Sequence, residues 1–408
     1  MQLRAFRAWR PDPKIADRVA APPYDVVGRE EARLLAEGNP FSFLHVGRSD
    51  IDLPDEVDAY DPRVYAKARD HLQAFMLDGT LIQEREPSLY LYELTLAGRS
   101  QVGLVGCVHV DDYERDVIKK HEKTRPDKEA DRTRHLVVSR AHAEPVFLTY
   151  SGQPIVDRLN ATEMRAAPLY DFVSDDGVRH RVWRVRQLDE YLDAFRRIPE
   201  AYVADGHHRS ASAWRAAREL AASDPAAGSD AEHNWFLAVL FPASQLQILP
   251  YNRVVADLGG RSAAAFRAEL EALGTLTPTD RPTPDKSGVI CLFLEGQWLR
   301  LELDPATINA ADPIKSLDAE LLSDRILGPL LGIQDIRTDK RVDFVGGIRG
   351  TTELERRVRS GEAAVAFSLY PVQIEQVMSV AAGGGVMPPK STWFEPKLKS
   401  GLFVHTFD

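Results

Sequence analysis

The segment that most constrains the fold is Ala201-Tyr202-Val203-Ala204, a short strand-like run broken at once by Asp205-Gly206 and followed by His207-His208-Arg209. Ser210 to Ala222 then has a helix-compatible composition. A strand must therefore pass through a tight Asp-Gly turn straight into a helix N-terminus. Backbone N–H groups lack intrahelical acceptors there, and imidazole and guanidinium donors stand beside them. Such a turn is built to hold an anion, and phosphate is its natural guest.

The rest of the chain narrows that guest. With 408 residues, 44% of them hydrophobic, two or three domains with real cores are expected. The formal net charge of −10 argues against broad contact with nucleic acid or an acidic membrane. A small phosphorylated metabolite or a nucleotide is the expected partner. Cys107 and Cys291 each lie in an apolar run and read as buried strand cysteines, without a disulfide framework or a zinc site. The first ten residues carry arginines but no apolar signal core, and no apolar stretch of about 18 residues occurs, so a cytoplasmic protein is expected.

Pro22-Pro23 forbids helix and makes Ala21 to Val27 an extended segment able to line a site edge. Arg63 to Leu77 has helical spacing, with Val64, Ala68, Leu72 and Phe75 on one face. Ser88 to Leu96 and Val102 to Val110 read as a hairpin, Glu144 to Tyr150 as a strand, and Asp171 to Val185 as a second hairpin turning at Asp175-Asp176-Gly177. Trp235 to Phe241 reads as a buried strand, and Pro250 to Val254 as the exit from a first domain. Beyond it, helix and strand patterns mix through Val372 to Ala381. The expected fold is α+β, with mixed and antiparallel sheets. The expected domains are 1–255, carrying the Asp-Gly-His-His-Arg turn, and a C-terminal α/β subdomain over 256–408.

Three segments carry chemistry. In the first, Gly206 lets backbone approach a ligand, Arg209 can fork onto phosphate oxygens, and His207 and His208 supply pH-sensitive donors. Asp205 is the odd member, because a carboxylate repels phosphate unless Mg²⁺ or a substrate hydroxyl lies between them. That favours catalysis, with Asp205 as metal ligand or base. The competing reading is a helix-capping Asp-Gly turn with solvated histidines. The second segment, His121 to Arg132, fails His-Glu-x-x-His because position 125 is Arg. It reads either as a salt-bridged helix or as a flexible basic segment closing over a phosphorylated ligand, with Glu122 as base and His121 and Arg132 as phosphate contacts. The third, Gly383 to Lys397, fails as a P-loop because Pro389 precedes Lys390. It presents Lys390, Ser391, Thr392 and Lys397, or else is a turn packing Met387, Trp393 and Phe394. Elbow, dinucleotide and Cys-His motifs do not occur, which leaves phosphoryl chemistry.

Pro22 to Val26, His121 to Thr124 with Asp131-Arg132, Ala204 to Arg209, and Met387 to Thr392 with Pro396-Lys397 together closely resemble the family called domain of unknown function 1015. More locally, Asp205 to Arg209 is similar to the phosphate-gripping turn of the ParB and sulfiredoxin superfamily, including free-serine kinases. That resemblance implies a ParB/sulfiredoxin-like core in which His208 and Arg209 grip phosphate, Gly206 permits close approach, and Asp205 orients Mg²⁺ or an acceptor hydroxyl. The leading expectation is a phosphotransferase using ATP or ADP with Mg²⁺ on a small hydroxylated metabolite such as serine or phosphoserine. Asp205 or Glu122 would take the hydroxyl proton, while His207, His208, Arg209, Arg132 and Lys390 hold phosphate oxygens. The alternatives are a phosphatase using His207 or His208 as nucleophile or acid, and a nucleotide or metabolite sensor without turnover.

Overall fold

A two-residue turn at Ala97-Gly98, both with positive φ, closes the hairpin of β2 (Tyr90–Leu96) and β3 (Arg99–His109) in the computed structural model, which describes residues 1–407. Primed turns of this kind match the twist of paired strands. The hairpin sits within a nine-stranded sheet that also contains β1 (Leu3–Arg4), β4 (Ile118–Lys119), β5 (Val146–Tyr150), β6 (Tyr170–Val173), β7 (Arg179–Arg184), β8 (Ala201–Asp205) and β9 (Trp235–Pro242). The order is β4-β8-β5-β9-β3-β2-β7-β6, with β1 extending the β2 side of β3. β4–β8 and β5–β9 are parallel and the remaining pairs antiparallel. All residues of β9 are buried, as its unbroken apolar sequence requires.

Three helices position the candidate site. α1 (Pro62–Leu77) starts where the Asp61 side chain accepts the Arg63 N–H, and it buries Val64, Tyr65, Ala68, Leu72 and Phe75. α2 (Pro126–Ser139) has Pro126 in its first turn and ends at Arg140, whose φ is +49°. α3 (His207–Ser223) puts Ala211, Ala213, Ala216 and Ala217 into the main core beside Phe236 and Leu240. It begins three residues before the expected Ser210, because Gly206 at φ +91° lets the chain turn directly into helix. The basic segment expected to close flexibly over a ligand is, from Pro126 onward, the ordered first turns of α2.

The chain forms two compact units: residues 1–120, 124–246 and the segment from Pro396 onward in one, residues 121–123 and 247–395 in the other. This division differs from 1–255 and 256–408. Tyr251–Val255 does not leave the first unit as an exit; it pairs on both sides inside the sheet of the second. That sheet joins β10 (Tyr251–Val255), β11 (Gly274–Pro278), β12 (Val289–Leu294), β13 (Gln297–Leu303), β14 (Val342–Gly346) and β15 (Val365–Ser368) in the order β11-β13-β12-β15-β10-β14, each named pair antiparallel. Helices Ala263–Glu271, Gly350–Arg359 and Ile374–Ala382 complete the expected helix–strand mixture. The α+β architecture is thus as the patterning indicated. Cys107 and Cys291 are buried and unbridged, and no helix among the described residues is long and apolar enough to cross a membrane.

Gly103 tests the packing of the large sheet. A Cβ there would lie 2.6 Å from Val239 Cγ1 and 2.7 Å from Phe241 Cζ, both on β9. Gly103→Ala is expected to destabilise the first unit by about 1–3 kcal/mol through overpacking, read as a lower urea midpoint at unchanged slope; an unchanged midpoint would contradict this packing.

Candidate functional site

The site in the first unit begins with an irregularity in β8. Tyr202 and Val203 pair with Thr149 and Leu148 on β5, and the register then slips so that Asp205 stands opposite Phe147. A bulge of this kind re-aims the side chain at a strand end. The next residue, Gly206, has φ +91°, a conformation that favours glycine, and a Cβ there would lie 3.0 Å from Arg209 Nε and 3.1 Å from its Cζ, so the guanidinium would have to give way. The Arg209 guanidinium therefore folds back beneath the turn, with only 7% of the residue exposed.

Arg209 Nη1 donates to the Pro145 carbonyl at 2.5 Å, while Nη2 lies 3.4 Å from Asp25 Oδ2 and 3.9 Å from Asp205 Oδ1. Its Nε is buried without a hydrogen-bond partner among the described residues. Asp205 is partnered differently: Oδ1 accepts the Gly206 N–H at 2.8 Å and Oδ2 accepts Lys397 Nζ at 2.7 Å. Burial pushes its carboxyl up, but the charges of Lys397 and Arg209, with these hydrogen bonds, hold it well below the usual carboxylate range. Asp205 is thus a paired anion and a weak base in this arrangement.

A second carboxylate has the opposite character. Glu144 Oε1 accepts the Tyr24 N–H at 3.1 Å and the Ser400 hydroxyl at 3.0 Å, and a Cβ on Gly47 would come within 3.1 Å of it. Burial raises the Glu144 carboxyl, and the nearby Arg209 and Arg132 only partly reverse this. Arg132 lies over the Tyr24 ring at 4.1 Å and pairs with Asp131 at 2.9 Å; Asp131 in turn accepts the Tyr65 hydroxyl at 2.9 Å. Arg132, His135, Glu144 and Arg209 help line a cavity of about 20 Å³, room for a single water. Burial and the Arg132 charge push the His135 imidazole down to about 4, and its Nε2 lies 3.0 Å from the Val46 carbonyl, which therefore receives the N–H of a neutral ring.

The expected histidines take other positions. His207 is buried. His208 Nε2 accepts the Arg125 backbone N–H at 3.0 Å, so this ring is neutral with its proton on Nδ1, and it ties down the entry to α2. Magnesium at Asp205 would share the carboxylate with the Gly206 N–H and Lys397 and stand beside the Arg209 charge, so it requires Lys397 to be drawn away first.

His121, Glu122, Lys390, Ser391 and Thr392 belong to the second unit and form their own arrangement. The Met387 N–H donates to the His121 carbonyl at 2.8 Å, and His121 Nε2 lies 3.4 Å from Thr392 Oγ1. Ser391 Oγ donates to the Pro388 carbonyl at 2.7 Å. Lys390 has φ +57°, and its carbonyl accepts from Arg253 at 3.1 Å; burial lowers that guanidinium to about 10. Met387 packs with Leu317, Val372, Val377 and Val380, so much of the segment is built as an anchored turn. Glu122 is half-buried in the short piece 121–123.

The model of the family described as "Protein of unknown function (DUF1015)" matches residues 3–320, well over half of the chain. The chain belongs to this family. No curated protein matches this DUF1015 member by sequence. Among solved structures it is similar to a C-terminally truncated SbnI from Staphylococcus aureus (12% identity, 74% of this chain and 87% of that one, TM-score 0.40). It is also similar to a conserved hypothetical protein from Pyrococcus furiosus (14%, 73% and 93%, TM-score 0.34) and to a free serine kinase in complex with AMP (12%, 73% and 90%, TM-score 0.37). At these values the likenesses decide neither the core nor an activity.

Within this DUF1015 member, Asp25 and Tyr24 come from the Pro-Pro-Tyr-Asp segment, which the sequence marked as a site edge without a role for either side chain. Glu144 went unmarked; its signal is a lone acid and a proline directly before an apolar strand. Lys397 stood as a phosphate contact and is instead the partner of Asp205. Lys397→Met should lower stability at neutral pH by about 1.5–3 kcal/mol, the range for hydrogen bonds to charged groups. Because the Asp205 carboxyl is depressed in the folded state, this contribution is complete above the ordinary aspartate value of roughly 4 and fades as the pH falls below it. Urea midpoints at neutral and acid pH for wild type and variant check this; a gap of equal size at both would show that Lys397 acts through packing alone.

Proposed function

We propose that this DUF1015 member is a nucleotide-dependent phosphotransferase acting on a small hydroxylated metabolite, with serine or phosphoserine as the first candidates. The observation that carries this is the buried Arg209 guanidinium, its Nε unpartnered, folded under the first turn of α3 with Lys397 and Arg132 in the same unit. A helix N-terminus and guanidinium and ammonium donors recognise phosphate oxygens by charge and geometry together. ATP or ADP as the phosphate source, and a ParB/sulfiredoxin-like core, rest on the resemblance of Asp205 to Arg209 to that superfamily's turn.

The cations are already neutralised by carboxylates, so phosphate enters by exchange. Lys397 passes from Asp205 to a phosphate oxygen, and Asp205 loses the charge that depresses it. It then becomes a stronger acceptor for the hydroxyl proton as the acceptor oxygen bonds to phosphorus and the donor's P–O bond breaks. Glu144, whose carboxyl is raised, is the alternative acceptor. His207 and His208 are proposed to orient the turn, and Arg132 to hold phosphate. His121, Lys390, Ser391 and Thr392 are proposed as phosphate contacts of the second unit, with Glu122 beside them as a further base.

The Lys397–Asp205 pair also favours a second reading, a sensor in which phosphate exchange is the whole event. Calorimetry with ATP and ADP, with and without Mg²⁺, followed by phosphate transfer to serine, separates the two. Phosphotransfer predicts micromolar binding, a tenfold or greater loss in Arg209→Lys, where the fork is absent, and retained binding in Asp205→Asn with the transfer rate down about 10²–10⁴-fold. Binding with no turnover on any hydroxylated metabolite leaves the sensor; no binding of any nucleotide or phosphorylated metabolite removes both.

A further inference from the structure

Away from the Arg209 cluster, His45, Asp52 and His71 converge. His45 lies on the short helix Leu44–Gly47, Asp52 ends the turn Ser49–Asp52, and His71 projects from α1. His45 Nδ1 is 2.8 Å from Asp52 Oδ2 and 3.0 Å from Oδ1, and His71 Nε2 is 3.0 Å from the same Oδ2. All three ligand atoms lie within 4.8 Å of one another.

The hydrogen bonding around them is what points to an ion. His45 Nε2 lies 3.3 Å from the Asn39 carbonyl, which can only accept, so Nε2 carries the ring proton. Nδ1 then faces both Asp52 oxygens, and the positive centre this arrangement needs is either a proton, which Asp52 helps the ring to keep, or a metal ion that takes the proton's place. His71 Nε2 is buried and is directed at the same Asp52 oxygen, 3.0 Å away, so both imidazoles converge on one carboxylate. One ion bound by all three atoms uses both lone pairs and the carboxylate together. The outer hydrogen bond from His45 to a backbone carbonyl is the usual device that orients a ligating imidazole.

We propose that His45, Asp52 and His71 form a binding site for a divalent transition-metal ion of the zinc type, with water completing a tetrahedral shell. Bonds of about 2.0–2.2 Å to nitrogen and oxygen are reached from this arrangement by small side-chain rotations. The ion ties the Leu44–Gly47 helix and the Ser49–Asp52 turn to α1. Its role is structural, and it stands two residues along the chain from Gly47, which abuts Glu144.

The test uses tag-free full-length protein stripped with EDTA and titrated with Zn²⁺ in a calorimeter. One equivalent should bind at micromolar affinity or tighter, raise the wild-type Tm, and weaken tenfold or more in both Asp52→Asn and His71→Gln. Absence of binding, or equal binding in the wild type and both variants, overturns the proposal. Should either variant fail to fold, Co²⁺ added to the wild type decides: an intense visible band from a four-coordinate ion supports the site, and only the weak colour of hydrated Co²⁺ overturns it.

Discussion

The Arg209 guanidinium beneath the Gly206 turn is the contact on which the first unit's candidate site depends. One planar group reaches the Pro145 carbonyl ahead of β5, Asp25 from the N-terminal segment, and Asp205 at the end of β8. A lysine could not repeat this, since its single nitrogen lacks the rigid fork. At Gly206 the left-handed backbone disfavours any other residue, and a side chain there would press on the guanidinium. The bulge in β8, the left-handed turn and the buried arginine are therefore a single device, and the start of α3 follows from it.

Around that device two carboxylates are set apart by their surroundings. Asp205 meets two cations and its own turn's N–H, and stays ionised well into acid; Glu144 is governed by burial and sits high. Divergent carboxylates close to a shared arginine are a common arrangement where a proton must be held on one group and refused by another. The charges on Arg132 and Arg209 are both retained, because burial, which would lower them, is outweighed chiefly by Asp131 beside one and by Asp25 and Asp205 around the other.

Much of the fold was legible because periodicity is local. The Val64, Ala68, Leu72, Phe75 stripe, the β2–β3 hairpin and the unbroken apolar run of β9 each state their own structure. The unit boundary was not legible, since Tyr251–Val255 looks the same whether it leaves one sheet or enters another. The site was legible as an inventory of residues but not as a set of partnerships. Lys397 and Asp205 are 192 residues apart, and a free lysine and a salt-bridged one have the same letter. His208 was read as a phosphate donor, yet its acceptor nitrogen serves a backbone N–H at Arg125, a use that only the packing of α2 beside α3 reveals. Glu144 escaped because its elevated carboxyl is a property of burial, which a single acid before a strand does not announce.

The segment from Pro396 onward returns to the first unit after the whole of the second has intervened. It brings Lys397 to Asp205, Ser400 to Glu144 and Lys399 to Asp176, and its backbone pairs with Trp9, Ala21 and His142. During synthesis, then, the Asp-Gly turn and both carboxylates leave the ribosome well before the groups that neutralise and bond them. The second unit is nested inside the first in chain order, and the first can close its hydrogen-bond network only after the second has been made. Assembly of the candidate site is for this reason a late event, and a nascent chain halted before Pro396 carries Asp205 and Arg209 without a completed site.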